Sequence, residues 1–221
     1  MARITMSSSR GGDFLSHRLR TLQSYYADEK EIWDIGCDHG LLGLSFTTYL
    51  EAKTIHLVDP SLPVIEALQS KLKDAYITKP EIFLHHQEGQ KIKIESDSNC
   101  IFIAGMGGKE IGSIIQSLLP SLNFHSRFVI SPHRKILELR KDLNQLPLSL
   151  EKEEVIIEDN QFYQILALVP GGPGPKVSLF GDAIWEGETG EMYRDHQLKY
   201  FSHHRDEASL NYVAWLKGAK G

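Results

Sequence analysis

The heptapeptide Asp34-Ile35-Gly36-Cys37-Asp38-His39-Gly40 lies between a short hydrophobic run, residues 31–35, and a stretch with helical apolar spacing, residues 41–50. A glycine-bearing turn between a strand and a helix lets backbone N–H groups approach a ligand closely. The spacing is not the G-x-G-x-x-G of nicotinamide enzymes, and two glycines are also compatible with a plain tight turn. The heptapeptide therefore predicts a βα unit whose turn favours a nucleotide-like ligand.

The alternation of strand and helix patterns continues along the chain. Strands are predicted at residues 31–35, 54–58, 81–85, 99–104 and 127–131, and helices at residues 41–50, 62–72, 108–119 and 134–146. Repeated βα units favour an α/β fold with a mostly parallel, doubly wound sheet. Two later β-type runs, residues 154–158 and 161–169, flank the turn dipeptide Asp159-Asn160 and predict an antiparallel hairpin. The expected sheet has seven strands and ends in this hairpin.

Both ends of the chain are expected to add short helices to this core. Residues 14–26 have the pattern of a short amphipathic helix, and Gly-Gly-Pro-Gly-Pro at 171–175 indicates a linker. We therefore predict a domain over residues 1–170 and a linker with a short helical tail over residues 171–221. The apolar stripe of that tail comprises Tyr193, Leu198, Phe201, Leu210, Tyr212, Val213 and Leu216.

Composition narrows the class of protein. The 221 residues are 41% hydrophobic and 24% charged, as expected of one globular domain. Only Cys37 and Cys100 are present, which favours a reducing cytoplasm over secretion. No run approaches the roughly 20 apolar residues of a membrane span. The net charge of −5 indicates that any contact with nucleic acid is local.

Acidic residues follow the second and third predicted strands. Asp59, before Pro60, is placed to accept hydrogen bonds from both ribose hydroxyls of a nucleotide, although a helix cap is its structural alternative. Gln87-Glu88-Gly89 follows the third strand, where Glu88 either meets an adenine amino group or is a solvated loop acid. Together with the first turn, these positions predict a cofactor site at the carboxyl ends of the strands.

The fourth strand leads into Ala104-Gly105-Met106-Gly107-Gly108. This pentapeptide has too many glycines for an ordinary helix start, and it leaves unencumbered backbone beside the predicted site. The alternative is a flexible turn whose Met106 fills a gap in the core.

Three segments together resemble one family: Leu15-Ser16-His17-Arg18-Leu19, the first six residues of the heptapeptide, and Ile103-Ala104-Gly105-Met106-Gly107-Gly108. Weaker matches are Ser131-Pro132-His133, Leu139-Arg140 and the hairpin with Tyr163. In this order they are similar to the bacterial tRNA (adenine(22)-N1)-methyltransferase family, TrmK, over residues 1–170. His133 stands where that family usually has asparagine, Glu88 where it has aspartate and Asp59 where it has glutamate. The family's long helical C-terminal extension is represented here only by residues 182–221.

The resemblance implies a Rossmann-like class I methyltransferase that transfers a methyl group from S-adenosyl-L-methionine to N1 of an adenine in tRNA. Neither a metal nor a membrane is an expected partner, and no pattern specifies an oligomeric state. The implied cofactor-binding residues are Asp34, Gly36, Asp38, His39, Asp59, Pro60, Gln87, Glu88, Gly89, Ala104, Gly105 and Met106. The implied catalytic residues are Asp38, His39, Gly105, Met106 and His133, and the implied substrate-binding residues are Arg18, Gly107, Gly108, Pro132, His133, Arg134, Arg140 and Tyr163.

Basic residues after the fifth strand are the candidates for phosphate contact. Residues 131–147 hold Arg134, Lys135, Arg140 and Lys141 against Glu138 and Asp142, an excess of 4 − 2 = +2. A solvated helix face is the alternative explanation for this run. The histidines at 85, 86, 196, 203 and 204 lack partners at metal-ligand spacing and are expected at the surface.

Three other functions remain open on the sequence alone. The first is a methyltransferase of the same fold with another RNA base, a protein or a small molecule as acceptor. The second is a cofactor-binding interaction module without turnover. A nicotinamide-dependent dehydrogenase is disfavoured because the first turn lacks the dinucleotide spacing.

Overall fold

The computed structural model describes residues 15–48, 52–73 and 80–218. Seven strands form one sheet in the order β3-β2-β1-β4-β5-β7-β6. The strands are β1 (Glu31–Ile35), β2 (Thr54–Asp59), β3 (Glu81–His86), β4 (Asn99–Ala104), β5 (Arg127–Ser131), β6 (Leu148–Glu158) and β7 (Gln161–Pro170). The helices are α1 (His17–Gln23), α2 (Leu41–Ser45), α3 (Leu62–Lys73), α4 (Gly108–Leu118), α5 (Ile136–Asn144), α6 (Gly187–Phe201) and α7 (Glu207–Gly218).

The first five strands are parallel, and β7 is antiparallel to both β5 and β6. The predicted mostly parallel seven-stranded sheet with a terminal hairpin is therefore confirmed. The hairpin turn forms because Asp159 and Asn160 both adopt positive φ angles, 49° and 59°, as the tight turn between twisted strands requires.

Alternation along the central strands separates two layers of core. Trp33, Ile101 and Phe128 belong to a cluster that includes residues of α4 and α5. Ile32 and Cys100, one residue along on β1 and β4, belong to a second cluster that includes residues of α1, α2 and α3. Because successive side chains of a strand point to opposite faces, helices cover both faces of the sheet.

Several element boundaries differ from the predictions, and three of these differences have a structural reason. β6 begins at Leu148 and not at residue 154, since a register shift between Leu150 and Lys152 hides the alternation of its first half. α5 begins at Ile136 because Lys135 has a left-handed φ of 65°. α2 ends at Ser45 and passes into a 3₁₀ turn over Phe46–Thr48, and residues 49 and 50 of the predicted helix lie outside the described residues.

α1 and α6, near the two ends of the described residues, both pack against β6. α1 is shorter than predicted, and residue 14 of that prediction is outside the described residues. In the tail, Tyr193, Tyr212 and Leu216 are buried, whereas Leu210 is 49% exposed and was wrongly placed on the stripe. Ile184 and Trp185, which the stripe did not include, are buried with them. No helix in the described part of the chain is long and apolar enough to cross a membrane.

Candidate active site

The strand order reverses between β1 and β4, so the loops that follow these strands diverge and leave a crevice at their carboxyl ends. The β1 loop is a tight turn. Gly36 and Gly40 have φ angles of 72° and 67°, and the N–H groups of Gly36 and Cys37 donate to the carbonyl of Val58 at 2.8 and 3.1 Å. Asp38 shares the left-handed region with a φ of 47°. The turn is thus held against the end of β2.

Asp59 joins the loops after β1 and β2. One carboxylate oxygen accepts the backbone N–H of Asp38 at 3.3 Å, and the other accepts that of Ser61 at 2.8 Å. The side chain is largely buried, with 8% of the residue exposed. Each carboxylate oxygen has a second lone pair, so Asp59 shapes the turn and still has capacity for a ligand hydroxyl.

Asp34 lies beneath the same turn. Its carboxylate accepts the backbone N–H of Gly43 at 2.8 Å, in the first turn of α2. Burial is the main cause that raises its pKa to about 6; the Gly43 hydrogen bond opposes this shift and nearby Asp59 adds to it. Asp34 therefore supports the loop from a buried position.

Asp38 and His39 are exposed at the rim of the turn. Their side chains approach to 3.8 Å and are 71% and 81% exposed. The structure therefore places both at the opening of the crevice, where the sequence expected them to border cofactor and substrate.

The third loop packs beside β1 and β2. The N–H of Gln87 donates to the Asp59 carbonyl at 3.2 Å, and a Cβ on the buried Gly89 would come within 2.6 Å of Ile35. Glu88 is exposed and pairs with Lys91 at 3.2 Å. Pro60 is also exposed, and its carbonyl lies 3.0 Å from His86 Nε2. The structure brings this loop to the crevice and leaves Glu88 accessible.

The glycine-rich loop after β4 forms the other side of the crevice. Gly105 has a φ of 79°, and a Cβ there would meet only His133 Nε2, at 3.9 Å. The Met106 side chain reaches across the crevice, so that its Cε lies 2.0 Å from the position of a Cβ on Gly36. Met106 is partly buried against the core and also borders the crevice. Its position is therefore compatible with both interpretations, a core residue and a site residue.

Backbone hydrogen bonds tie this loop to the loop after β5. Gly105 N–H donates to the Ser131 carbonyl at 3.3 Å, His133 N–H to Met106 at 2.9 Å and Gly108 N–H to Arg134 at 2.9 Å. A parallel bridge also pairs Gly107 with Arg134. We call this set of contacts the loop clasp. It fixes His133 beside Gly105, as the sequence expected.

His133 belongs to a cluster with Arg18 and Tyr163. Arg18 Nη1 lies 2.6 Å from His133 Nε2, and the Arg18 guanidinium carbon is 4.6 Å from the centre of the Tyr163 ring. The rings of His133 and Tyr163 are 5.5 Å apart. Partial burial, Arg18 and Arg134 together lower the pKa of His133. Residues from α1, the loop after β5 and β7 thus meet at one edge of the crevice, next to buried Pro132.

Arg140 is a correction. We predicted that it binds substrate, but the residue is completely buried and forms an ion pair with Glu153. Its guanidinium also donates to Gln164 at 2.9 Å and to the Ser178 carbonyl at 3.0 Å. No donor of Arg140 is available to a phosphate, and its role is structural.

The other basic residues after β5 are accessible. Arg134, Lys135 and Lys141 are exposed, and Lys135 pairs with Glu138 at 2.8 Å. All three line a cavity of about 1080 Å³ that begins beside His133 and runs between α5, the β6–β7 turn and the tail helices. We call this cavity the tail groove. Its aromatic lining residues include Phe162, Phe180 and Tyr200.

Ser131 is a site residue that the sequence analysis did not single out for a role of its own. It is fully buried at the carboxyl end of β5, in register with Ala104, and its hydroxyl has no hydrogen-bond partner within the described residues. The signal that identifies it is register, because Ala104 and Ser131 end neighbouring strands.

Among residues 15–48, 52–73 and 80–218, no group of three or more His, Cys, Asp or Glu side chains is arranged to hold a metal. Cys37 and Cys100 are free and buried, and burial raises the pKa of both thiols. His85, expected at the surface, is half-buried against His56, with ring nitrogens 2.9 Å apart.

The residues fit the expected cofactor. Positive φ angles at Gly36 and Gly105 keep side chains out of the crevice walls, and Asp59 ends β2 where a ribose would lie. The orphaned hydroxyl of Ser131 offers a further polar contact. Close backbone approach and a carboxylate at the end of β2 are features that a nucleoside cofactor needs.

Comparison with known proteins gives four matches of the same kind. A family model described as "Methyltransferase domain" matches residues 15–166. A tRNA (adenine(22)-N(1))-methyltransferase of Bacillus subtilis is 25% identical over 160 residues, which cover 71% of this chain and 66% of that protein, just under two thirds of its length. The crystal structure of the B. subtilis m1A22 tRNA methyltransferase TrmK covers 93% of this chain and 95% of its own, with a TM-score of 0.75 and 19% identity. A putative tRNA (m1A22) methyltransferase from Streptococcus pneumoniae, in complex with S-adenosyl-L-methionine, has a TM-score of 0.75, 21% identity and 92% and 98% coverage.

Proposed function

Because this chain belongs to the methyltransferase-domain family, we propose that it transfers a methyl group from S-adenosyl-L-methionine to N1 of an adenine in tRNA. The observation that carries the proposal is the loop clasp, which holds the glycine-rich side of the cofactor crevice against the acceptor-side cluster of Arg18, His133 and Tyr163. The relatives named above support the acceptor, since two of them are described as acting on adenine 22 of tRNA.

The cofactor lies across the crevice in this proposal. Asp59 accepts the ribose hydroxyls, while the backbone of Gly36 and Gly105 lines the methionine portion. Glu88, exposed on the third loop, meets the adenine end. S-adenosyl-L-methionine supplies an electrophilic methyl group on a sulfonium when it is bound, so the protein needs neither a metal nor a covalent nucleophile.

The chain's own residues position the acceptor. Adenine N1 has a lone pair in the neutral base, so attack requires an exposed Watson–Crick edge and alignment more than a strong base. An unpaired or flipped adenine enters at the Gly105 side, where open space faces His133. The Tyr163 ring and the Arg18 guanidinium offer flat surfaces against which a base can stack.

The rest of the RNA lies along the tail groove. Arg134, Lys135 and Lys141 offer positive charge to phosphates, and Tyr200, 56% exposed, offers a ring to an unpaired base. This local surface is compatible with the net charge of −5. Residues 1–170 are the catalytic unit in this proposal, residues 171–221 are the tail that completes the groove, and the cytoplasm is the compartment where the enzyme meets tRNA.

The test is transfer of labelled methyl from S-adenosyl-L-methionine to unmodified tRNA, followed by nucleoside analysis. Labelled N1-methyladenosine is the expected product, and a transcript with guanine in place of adenine 22 is the matched control. If both transcripts are methylated at another base, that base and not adenine 22 is the acceptor. Cofactor binding without labelling of any RNA would reject tRNA as the substrate.

A further inference from the structure

Arg18 contacts one ring nitrogen of His133. Its Nη1 lies 2.6 Å from His133 Nε2, within hydrogen-bond distance. A guanidinium has five N–H donors and no acceptor, so the ring nitrogen that faces it must present a lone pair. The imidazole is therefore neutral, and its single proton is on Nδ1.

Arg18 is itself held by two other elements. Its backbone N–H donates to Glu158 Oε1 at 2.8 Å, at the end of β6, and its guanidinium rests on the Tyr163 ring of β7. Burial alone would raise the pKa of Glu158, but the hydrogen bonds from the Arg18 N–H and from Ser16, together with the charges of Arg18 and His17, lower it as a net result. The arginine is thus fixed from both sides before any ligand arrives.

We propose that Arg18 is a positioning residue that keeps His133 as a neutral imidazole with its proton on Nδ1, so that His133 offers the acceptor adenine a hydrogen-bond donor without a positive charge. This inference rests on the proposed function for the identity of the acceptor. The protonation state and tautomer of His133 depend on residues of this chain and not on the identity of the acceptor.

The chemistry explains why this state is useful. Methyl transfer moves the positive charge of the sulfonium onto the adenine ring, and a neighbouring imidazolium would repel that charge. A neutral N–H instead donates to adenine N3 or N7, which are acceptors, while N1 keeps its lone pair for the methyl group. Asparagine, the residue expected here from the family resemblance, is neutral at every pH and needs no such partner.

The charged neighbours of His133 act in the same direction. Arg18 approaches from α1 and Arg134 lies on the same loop, and both cations oppose protonation of the ring. Tyr163 is the titratable side chain that faces it from β7, while Gly105 and Met106, from the β4 loop, carry no charge. Arg134 contributes charge to His133 without the hydrogen bond, which makes it the matched control.

The experiment is nuclear magnetic resonance of protein labelled with ¹⁵N-histidine, titrated with acid. His133→Asn identifies the His133 signals among the ten histidines. In the parent protein we expect the Nδ1–H tautomer and titration below the ordinary histidine pKa of about 6.5. Arg18→Ala should mix the tautomers and move the titration up, whereas Arg134→Ala should move it up and leave the tautomer unchanged. An Nε2–H tautomer in the parent, or an unchanged spectrum in Arg18→Ala, overturns the proposal.

A second measurement follows the reaction. In the pH profile of kcat/KM for tRNA, the acidic limb should move to higher pH in Arg18→Ala and should be absent in His133→Asn, with or without Arg18. A limb at the same pH in the parent and in Arg18→Ala overturns the inference even if methylation is confirmed. If no tRNA is methylated but the magnetic resonance results hold, the proposed acceptor is wrong and the control of His133 by Arg18 stands.

Discussion

Arg140 and Glu153 form a buried ion pair that joins α5 to β6, with side-chain exposures of 0% and 2%. The pair also anchors the tail, because Arg140 donates to the Ser178 carbonyl and Glu153 accepts the N–H of Ala183 at 3.1 Å. Gln164 extends the network from Arg140 to the Tyr193 hydroxyl at 2.9 Å. The position of α6, and with it one wall of the tail groove, therefore depends on this pair.

Removing one partner should be costly, because the other charge is left buried and unpaired. We expect Arg140→Met to lower the free energy of unfolding by about 3–5 kcal/mol, as measured by urea denaturation. Glu138→Gln, which breaks the exposed pair with Lys135, is the control and should have a much smaller effect. Equal losses in the two variants would show that the buried pair adds nothing to stability.

Gly36→Ala should weaken both the fold and the cofactor site. A left-handed conformation costs a residue with a Cβ about 1–2 kcal/mol, and the new Cβ would also displace Met106. Gly171→Ala is the matched control, since Gly171 has a similar φ of 61° with nothing within 4 Å. Both variants should lose similar stability in thermal unfolding, but only Gly36→Ala should lose affinity for S-adenosyl-L-methionine in calorimetry. Loss of affinity in both would mean that the effect is not local.

Asp34 should give stability a recognisable pH dependence. Its pKa is about 6 in the folded protein against an ordinary value of 3.8, so between these values the folded state binds a proton that the unfolded state lacks. Stability must then fall as pH rises through this window. At about 1.4 kcal/mol per pKa unit, the contribution is on the order of 3 kcal/mol. Asp34→Asn should remove this contribution. In urea denaturation, the free energy of unfolding of the variant should therefore increase relative to that of the parent protein between pH 4 and pH 7. A constant difference between the two would contradict the raised pKa.

Asp59→Ala should weaken cofactor binding. The variant loses the acceptor for the Asp38 and Ser61 N–H groups and the proposed contact with the ribose. Hydrogen bonds to a charged group contribute about 1.5–3 kcal/mol, so the dissociation constant should rise about 10- to 100-fold in calorimetry. Glu66→Ala, an exposed acid on α3, should leave it unchanged. If Asp59→Ala binds the cofactor as tightly as the parent protein, Asp59 has only its structural role as a helix cap.

The tail groove should show its RNA contacts through salt dependence. Arg134→Ala and Lys141→Ala should each weaken tRNA binding and reduce the slope of log K against log salt by about 1. Lys71→Ala, on the exposed face of α3, is the control. If the slope is the same in all three variants and in the parent protein, phosphates do not bind in the groove.

The sequence was sufficient for the sheet because its strands are short, buried and separated by breakers. β1, β4 and β5 have the predicted bounds, and Gly36, Asp59 and Gly105 lie at the ends of adjacent strands as the topology requires. The features that could not be predicted from the sequence depend on contacts between distant residues. The start of β6 is obscured by the register shift at Leu150, and the left-handed Lys135 has no local signature.

Arg140 shows the same limit in the site. Its charge suggested a phosphate ligand, but its partner Glu153 is on another element, 13 residues away. Arg18 and His133 are 115 residues apart, so only the folded chain shows that they touch. Residue type and strand position predict candidate residues for the site, whereas three-dimensional contacts show which of them lie together.

The loop clasp constrains how this enzyme can be re-engineered or can diverge. Because Gly105, Met106 and Gly107 share backbone hydrogen bonds and a bridge with residues 131–134, a chimaera that imports only one of these loops would lose the pairing partners of the other. New acceptor specificity is therefore more accessible through side-chain exchange on an unchanged backbone. In the proposed function, His133 is a position of this kind, where one substitution would alter the chemistry presented to the acceptor and leave the backbone contacts in place.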